Sequence, residues 1–422
     1  MIGVLRNSWP LLLGMLFLML GNGLQGTLLG VRGNAEGFST TSMSIVMSAY
    51  FVGFLGGSRM APHLIRRVGH VRVFAALGSF ISAILILYAA LPDVIAWALM
   101  RVMIGFCFSG VYVVAESWLN DTATNENRGK TMSIYLIVQM IGIVTAQGLL
   151  NVADPLGYNL FVISSVLVSV SFAPILLSAN PAPVFHTTKP MTLRTLFQTS
   201  PLGFVGAFLL GSVFSALFGM SAIFGAQIDL SLRDISIFIA TIYTGGMLLQ
   251  YPIGWVSDRM DRRTLIMALN LIGALMMLAG LVFEGGFYWL LTLAFVVGGI
   301  SNPLYSLYIA YTNDFLEVED MAAASGGLIF VNGIGAILGP VILGWMMDRW
   351  GPYSFFGFLA VMLGVAAIYA TYRMTRRAAP PSSESSSFAA MSPSSSPVAI
   401  EVAQSAAHDI DNAGKAQQSP HY

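Results

Sequence analysis

Twelve runs of mostly apolar residues, separated by short polar stretches, occupy most of the 422-residue chain. A helix needs about 20 apolar residues to cross the hydrocarbon core of a membrane. The runs are too long and too little alternating to be strands, and helices satisfy their own backbone in lipid. We therefore predict an all-α membrane protein with twelve transmembrane helices. The runs lie near residues 9–31, 43–61, 72–91, 94–115, 130–150, 158–178, 202–226, 235–256, 264–283, 287–312, 322–346 and 353–372.

The composition excludes several classes of protein. Charged residues make up 9% of the chain, whereas soluble domains carry about 25%. Basic and acidic residues number 20 each, so no positive excess points to nucleic acid. Cys107 is the single cysteine, and no Cys/His cluster suggests a metal site. No nucleophile–base pair or phosphate-binding loop is recognisable, so we expect neither an enzyme nor a bound cofactor.

Lys and Arg residues are divided unequally between the two ends of the runs. If the N-terminus is cytoplasmic, sixteen of the 20 lie on the cytoplasmic side, three lie outside, and Arg101 lies within a run. Cytoplasmic loops are enriched in Lys and Arg. We therefore predict that both termini are cytoplasmic.

The two halves of the chain resemble each other. Aligning Gly69 with Asp261 gives an offset of 192 residues, and aligning Met140 with Gly333 gives 193. Such agreement predicts two parallel repeats of six helices, that is, two pseudo-symmetric six-helix bundles. The predicted domains are an N-terminal bundle at 1–178, a cytoplasmic linker at 179–201, a C-terminal bundle at 202–377 and a disordered cytoplasmic tail at 378–422, which is rich in Ser, Pro and Ala.

Charged residues follow the second and eighth runs in short loops. In the loop after the eighth run, Asp and Arg lie close enough together to form a charge latch, whose breaking and re-forming could shift the balance between inward- and outward-facing conformations. The alternative is a set of positively charged anchors at the membrane surface. The first loop lacks the matching Asp, so Glu116 is a plausible partner for its arginines. The candidate latch residues are Arg66, Arg67, Gly69, Glu116, Gly254, Asp258, Arg259, Arg262, Arg263 and Asp314.

Three motifs resemble those of the major facilitator superfamily of transporters. The loop Gly254–Arg263 is similar to its G-x-x-x-D-R-x-G-R-R signature, with Asp261 at the second glycine; in the first loop, Pro62 and Arg66 depart from it. Within the fourth run, Arg101–Gly110 resembles R-x-x-x-G-x-x-x-x-G, and within the eleventh run, Gly335–Gly344 resembles G-x-x-x-G-P-x-x-x-G. Two finer stretches resemble the bacterial YcaD-type branch. One is Glu116-Ser117-Trp118-Leu119 followed by Asn127-Arg128-Gly129, and the other is Tyr135, Gln139, Gly142 and Gln147-Gly148 in the fifth run. The resemblance implies twelve helices, alternating access and a bacterial inner-membrane location.

Polar side chains at membrane depth are candidates for a solute cavity, because lipid-facing positions disfavour them. Arg101 either binds an anionic solute group or tunes proton movement; alternatively it ties neighbouring helices together. The same structural alternative applies to each amide and phenol, at about 0.6–2 kcal/mol. In the superfamily, helices 1, 4, 7 and 10 line the cavity and helices 5, 8 and 11 contribute. The candidates are Asn22, Gln25, Arg101, Tyr112, Gln139, Tyr243, Asn302, Tyr305 and Asn332.

These features predict a secondary transporter that moves a small solute across the membrane by alternating access. Import, export and proton coupling are left open, since no Asp or Glu lies in the middle of a run. The alternative is a non-transporting membrane sensor or scaffold with a transporter fold. The expected partners are a small-molecule substrate and the lipid bilayer, and we expect a monomer.

Overall fold

The computed structural model describes residues 2–122, 128–176, 191–376, 388–391, 395–396 and 399–400. Within these ranges, twelve helical segments are long and apolar enough to cross a membrane, as predicted. A π-helical turn at Ala216–Met220 divides the seventh span into two α-helices, Pro201–Ser215 and Ser221–Gln227. The helices are α1 Ile2–Ala35, α2 Thr40–Val68, α3 His70–Ala90, α4 Val94–Thr122, α5 Arg128–Leu149, α6 Asn159–Leu176, α7 Leu193–Thr199, α8 Pro201–Ser215, α9 Ser221–Gln227, α10 Leu232–Ser257, α11 Arg262–Val282, α12 Phe287–Asn313, α13 Val318–Trp350 and α14 Ser354–Met374.

Local sequence sets several of the helix ends. Gly69 lies between α2 and α3 with a φ of 87°, a left-handed conformation that costs glycine little. The side chains of Ser39 and Ser231 accept hydrogen bonds from the first turns of α2 and α10. The described part of the predicted central linker contains α7, which is capped by Thr192. Residues 179–190 of that linker lie outside the described residues.

The helix contacts repeat after six spans. In the first half, α2 packs on α4, α1 on α5, and α3 on α6. The equivalent pairs in the second half are α10 with α12, α8 with α13, and α11 with α14. The fold is therefore two pseudo-symmetric six-helix bundles, which meet mainly where α2 contacts α13 and α5 contacts α10.

The helix directions define two faces of the molecule. The face at which α1 begins and α14 ends is called the terminal side. Because successive spans are joined by short connections and run antiparallel, α4, α10 and α12 also end on the terminal side, whereas α13 and α9 end on the opposite side.

Described residues of the tail differ from the expectation of disorder. Phe388, Ala389 and Ala390 are half-buried, and Met391, Ser395, Ser396, Ala399 and Ile400 are buried against the helices. The uncharged side chains of this segment allow such burial without the cost of desolvating a charge. The other residues predicted to form the disordered tail, from 378 onward, lie outside the described residues.

Candidate functional site

A cavity of about 140 Å³ lies between the two bundles. Helices α1, α2, α4 and α5 form its wall in the first bundle, and the second bundle contributes α8, the π-helical turn, α10 and α13. Its lining includes seven of the nine candidate cavity residues, namely Asn22, Gln25, Arg101, Tyr112, Gln139, Tyr243 and Asn332. Side chains separated by up to 310 positions in the sequence therefore meet around one small space.

Of the described residues that line this cavity, Arg101 is the one with a cationic side chain, and it is 7% exposed. Its guanidinium donates to Gln25 Oε1 at 3.1 Å and to Met47 Sδ at 3.2 Å. The guanidinium carbon lies 5.1 Å from the centre of the Tyr50 ring, within range of a cation–π interaction. Among the described residues Arg101 forms no ion pair, and its Nε lacks a hydrogen-bond partner.

A close approach of two helices positions Tyr50 beside Arg101. A Cβ atom at Gly105 of α4 would overlap the carbonyl oxygen of Tyr50, and one at Gly53 of α2 would overlap the carbonyl oxygen of Val102. Glycine at both positions therefore lets the two backbones touch. As a result, α2 delivers an aromatic ring to the cation on α4.

Amide side chains hold the wall of the first bundle together. Thr27 Oγ1 donates to Gln147 Oε1 at 2.8 Å and so joins α1 to α5. In the second bundle, Asn332 Nδ2 donates to the Ala207 carbonyl at 3.0 Å, joining α13 to α8. Asn332 thus serves as a helix tie and also lines the cavity.

Three tilted aromatic rings pack against one another along the wall of the second bundle. The ring centres of Phe214 and Phe218 lie 4.2 Å apart, and those of Phe218 and Tyr243 lie 4.4 Å apart. The π-helical turn Ala216–Met220 shifts the register of the seventh span at this point. Such turns are frequent at functional sites.

Two candidate residues lie outside this cavity. Asn302 lines a second cavity, and Tyr305 is fully buried without lining either one. Sequence reasoning left Tyr50 out of the candidates, although it lines the cavity.

The second cavity, of about 510 Å³, lies between α5 and α10 toward the terminal side. Met140 lines both cavities. Residues of the tail form part of the second wall, namely Phe388, Ala390 and Met391. The tail therefore forms part of the wall of a cavity that adjoins the central cavity at Met140 and lies toward the terminal side.

Backbone groups of the tail bond to both bundles. The Phe388 amide donates to Asp258 Oδ1 at 2.8 Å, and the Met391 amide donates to Ser306 Oγ at 2.9 Å. Both acceptors belong to the second bundle. The Ser396 amide donates to Glu116 Oε2 on α4 of the first bundle at 2.9 Å.

The candidate latch residues of the second bundle form two charge clusters. Arg262 donates to Asp314 at 2.6 Å, and its guanidinium lies 3.7 Å from Asp258. Arg263 pairs with Asp261 at 3.0 Å, and Asp261 also caps α11. Arg259 instead stacks on the ring of Trp255. These contacts join α10, α11 and α12 within one bundle.

The candidate latch residues of the first bundle do not form an equivalent cluster. Arg66 and Arg67 are exposed, whereas Glu116 is fully buried. The described partners of the Glu116 carboxylate include Tyr135 on α5, at 3.2 Å, and Ser396 and Ala399 of the tail. Burial separates Glu116 from the arginines, so it binds the tail in place of the expected ion pair.

Direct contacts between the bundles close the side opposite the termini. Asp348 accepts from the amide and the hydroxyl of Thr41 at 2.8 and 2.5 Å, joining α13 to α2. Asn151 Nδ2 donates to Ser236 Oγ at 3.0 Å, joining the end of α5 to α10. The conformation is therefore closed on the opposite side, and on the terminal side the described tail lies between the bundles.

Comparison with known proteins agrees with this architecture. The sequence pattern of the Major Facilitator Superfamily matches residues 11–247 and 202–407. The uncharacterized MFS-type transporter YcaD of Escherichia coli is 25% identical over 363 residues, which cover 84% of this chain and 92% of that protein. The uncharacterized MFS-type transporter YE1530 of Yersinia enterocolitica is 25% identical over 373 residues, 85% of this chain and 93% of that protein.

A solved structure shares the fold at lower sequence identity. A mutant of the nucleoside transporter NupG superposes with a TM-score of 0.77 at 15% identity, covering 86% of this chain and 99% of that one. The matched pattern, the repeated bundles and the YcaD-type relatives together establish the family: this chain is a member of the major facilitator superfamily.

Proposed function

We propose that this protein is a secondary transporter that carries a small solute through the cavity around Arg101 by alternating access. The observation that carries the proposal is the position of that cavity between two repeated bundles. On the side opposite the termini, hydrogen bonds between helix ends of the two bundles close the cavity. Rocking of the bundles about a central site would expose the cavity to each side in turn. The family of the chain supports this mechanism.

Each part of the proposed mechanism is assigned to particular residues. Arg101 and the amides around it contact the solute, and the cluster of Asp258, Arg262 and Asp314 stiffens the terminal end of the second bundle. The Asp348–Thr41 contact closes the opposite side. The positive-inside rule supports placing the terminal side in the cytoplasm of a bacterial inner membrane. A monomer is sufficient, because both halves of the cavity come from one chain.

Reconstitution tests the proposal. Purified protein in liposomes is offered a pooled library of small metabolites, with and without an imposed pH gradient. Accumulation of a solute against its own gradient, driven by the pH gradient, would establish proton coupling. Equilibration without gradient dependence would establish a facilitator. Empty liposomes serve as the control. If protein-containing liposomes take up no solute faster than empty liposomes do, the alternative, a membrane sensor or scaffold, is favoured.

A further inference from the structure

Among the described residues, no acidic side chain balances the cation in the central cavity. Arg101 has five N–H donors, and the described residues supply acceptors for two, the amide oxygen of Gln25 and the sulfur of Met47. The ionisable side chains that face it are the phenols of Tyr50 and Tyr88. A charge buried in this way is costly unless it is paired. Its pairing partner is therefore expected to come from the solute.

The size and walls of the cavity restrict the rest of the solute. An apolar cavity of about 150 Å³ binds benzene, so the space of about 140 Å³ fits one ring or an aliphatic body of that size. The rings of Tyr112, Phe214, Phe218 and Tyr243 line it. Aromatic walls favour a flat apolar body, and the guanidinium fork favours a planar carboxylate.

We infer that the solute is a compact monocarboxylate with an apolar or aromatic body, bound through its carboxylate to Arg101. This inference rests on the proposed function and names its substrate class. A carboxylate can replace the weak sulfur acceptor and accept two parallel N–H bonds. A cation would place like charges together, and a neutral amide would leave the guanidinium uncompensated. The chemistry of the site therefore selects against both.

Calorimetric titration of the purified protein tests the inference with four probes: benzoate, benzamide, benzylammonium and inorganic phosphate. We expect benzoate to bind more tightly than the other three, by about tenfold or more. The Arg101→Gln variant should lose this preference, and Arg101→Lys, which keeps the charge without the fork, should retain part of it. Equal binding of benzamide or benzylammonium, binding of phosphate alone, or no binding of benzoate would overturn the inference.

The failure of this inference is distinguishable from the failure of the proposed function. Liposome flux of a neutral or cationic metabolite would leave the transporter in place and remove the carboxylate. Flux of no metabolite would remove the transporter itself.

A different observation carries a second inference, about the tail. Its described residues lie between the bundles on the terminal side, with hydrogen bonds to Asp258 and Ser306 in one bundle and to Glu116 in the other. Ser306 lies seven residues before the end of α12, so the tail reaches roughly 10 Å into the helices. Met391 is 5% exposed and Ile400 is fully buried.

The sequence of the segment suits this position. Residues 385–400 contain no charged side chain, although Glu384 and Glu401 flank them. An uncharged segment can enter the space between the bundles without desolvating a charge. Its backbone amides donate to the carboxylates of Asp258 and Glu116, each of which also contacts a helix residue, Arg262 and Tyr135 respectively.

Alternating access requires the terminal ends of the bundles to approach each other when the opposite side opens. A segment bonded to both bundles at this point prevents that approach. We propose that the tail is an autoinhibitory wedge, which holds the protein closed on the opposite side and shields the central cavity from the terminal side. The wedge must leave for each transport cycle.

Cysteine labelling tests the wedge without knowledge of the solute. Cys107, the single cysteine, is replaced by alanine, and Met140→Cys places a reporter where the two cavities meet. In a variant ending at Ala379, we expect the reaction with a water-soluble maleimide to accelerate about tenfold relative to the full chain. A rate within about twofold of the full chain would overturn the proposal.

A point variant and a peptide separate the wedge from a general effect of truncation. Met391→Asp should accelerate labelling in the full chain because it buries a charge, whereas Met391→Leu, of similar volume, should not. Added to the truncated protein, a peptide of residues 385–400 should slow labelling again, and the same peptide with Met391→Asp should not. Equal effects of the two peptides would contradict a specific wedge.

Discussion

The carboxylate of Asp348 joins the second bundle to the first by accepting two hydrogen bonds from Thr41, one from its amide and one from its hydroxyl. Both residues lie at helix ends on the side opposite the termini. In alternating access, such contacts must break when that side opens. Their loss should therefore shift the conformational balance.

Asp348→Ala should open the side opposite the termini. The test uses the variant that ends at Ala379, in which the tail cannot hold this side closed, with Cys107 replaced by alanine and Ser48→Cys as the reporter. Relative to the same variant with Asp348 intact, we expect maleimide labelling from that side to accelerate about tenfold, since Ser48 bonds to the Ile337 carbonyl across the closed interface. Glu284→Ala is the matched control, because Glu284 is an exposed acid on the same side. Unchanged labelling in the Asp348 variant would mean that this contact does not hold the interface.

Asp314→Asn should destabilise the terminal end of the second bundle. The Arg262 and Asp314 side chains are 3% and 4% exposed, and removing one partner of a buried ion pair costs up to about 3–5 kcal/mol. Arg262 keeps Asp258 at 3.7 Å in this variant, so we expect a loss below that limit. Glu36→Gln removes the more exposed ion pair with Arg32 and should cost at most about 1 kcal/mol. Thermal unfolding in detergent compares the two. If both variants had similar melting temperatures, the buried Arg262–Asp314 pair would contribute no more to stability than the more exposed Arg32–Glu36 pair.

Gly105→Ala should destabilise the first bundle, although alanine favours helices. The new Cβ would overlap the Tyr50 carbonyl oxygen on α2, and overpacking of this kind costs about 1–3 kcal/mol. A Cβ at Gly148 would meet no atom within 4 Å, so Gly148→Ala is the matched control and should be neutral or stabilising. A higher melting temperature for the Gly105 variant would refute the close contact of α2 with α4.

The sequence predicted the helices and their repeat because each depends on a strong physical constraint. Each helix needs about 20 apolar residues to cross the lipid, and the repeated motifs allow the two halves of the sequence to be aligned. Polar residues such as Gln25 and Asn332 were identifiable because an amide in an apolar helix avoids lipid. Their arrangement in one cavity, however, depends on helix packing that single runs do not encode.

The role of Tyr50 and the position of the tail could not be predicted, because both depend on contacts between distant parts of the chain. Tyr50 is aromatic, and aromatic residues also face lipid, so only its contact with Arg101 distinguishes it. The tail has no helical periodicity, and the partner of Ser396 is 280 positions away at Glu116. The pairing of Glu116 with the first-loop arginines was plausible from sequence spacing, but burial places the carboxylate apart from them.

The most direct test of the central claim compares flux through the wild-type protein and two variants of Arg101. Each is reconstituted in liposomes and offered the same pooled metabolites, after its melting temperature has verified folding. The account predicts uptake of at least one compact carboxylate by the wild type, partial uptake by Arg101→Lys, and a loss of about a hundredfold or more in Arg101→Gln. Uptake by Arg101→Gln at the wild-type rate, or flux of no solute by any of the three, would contradict it.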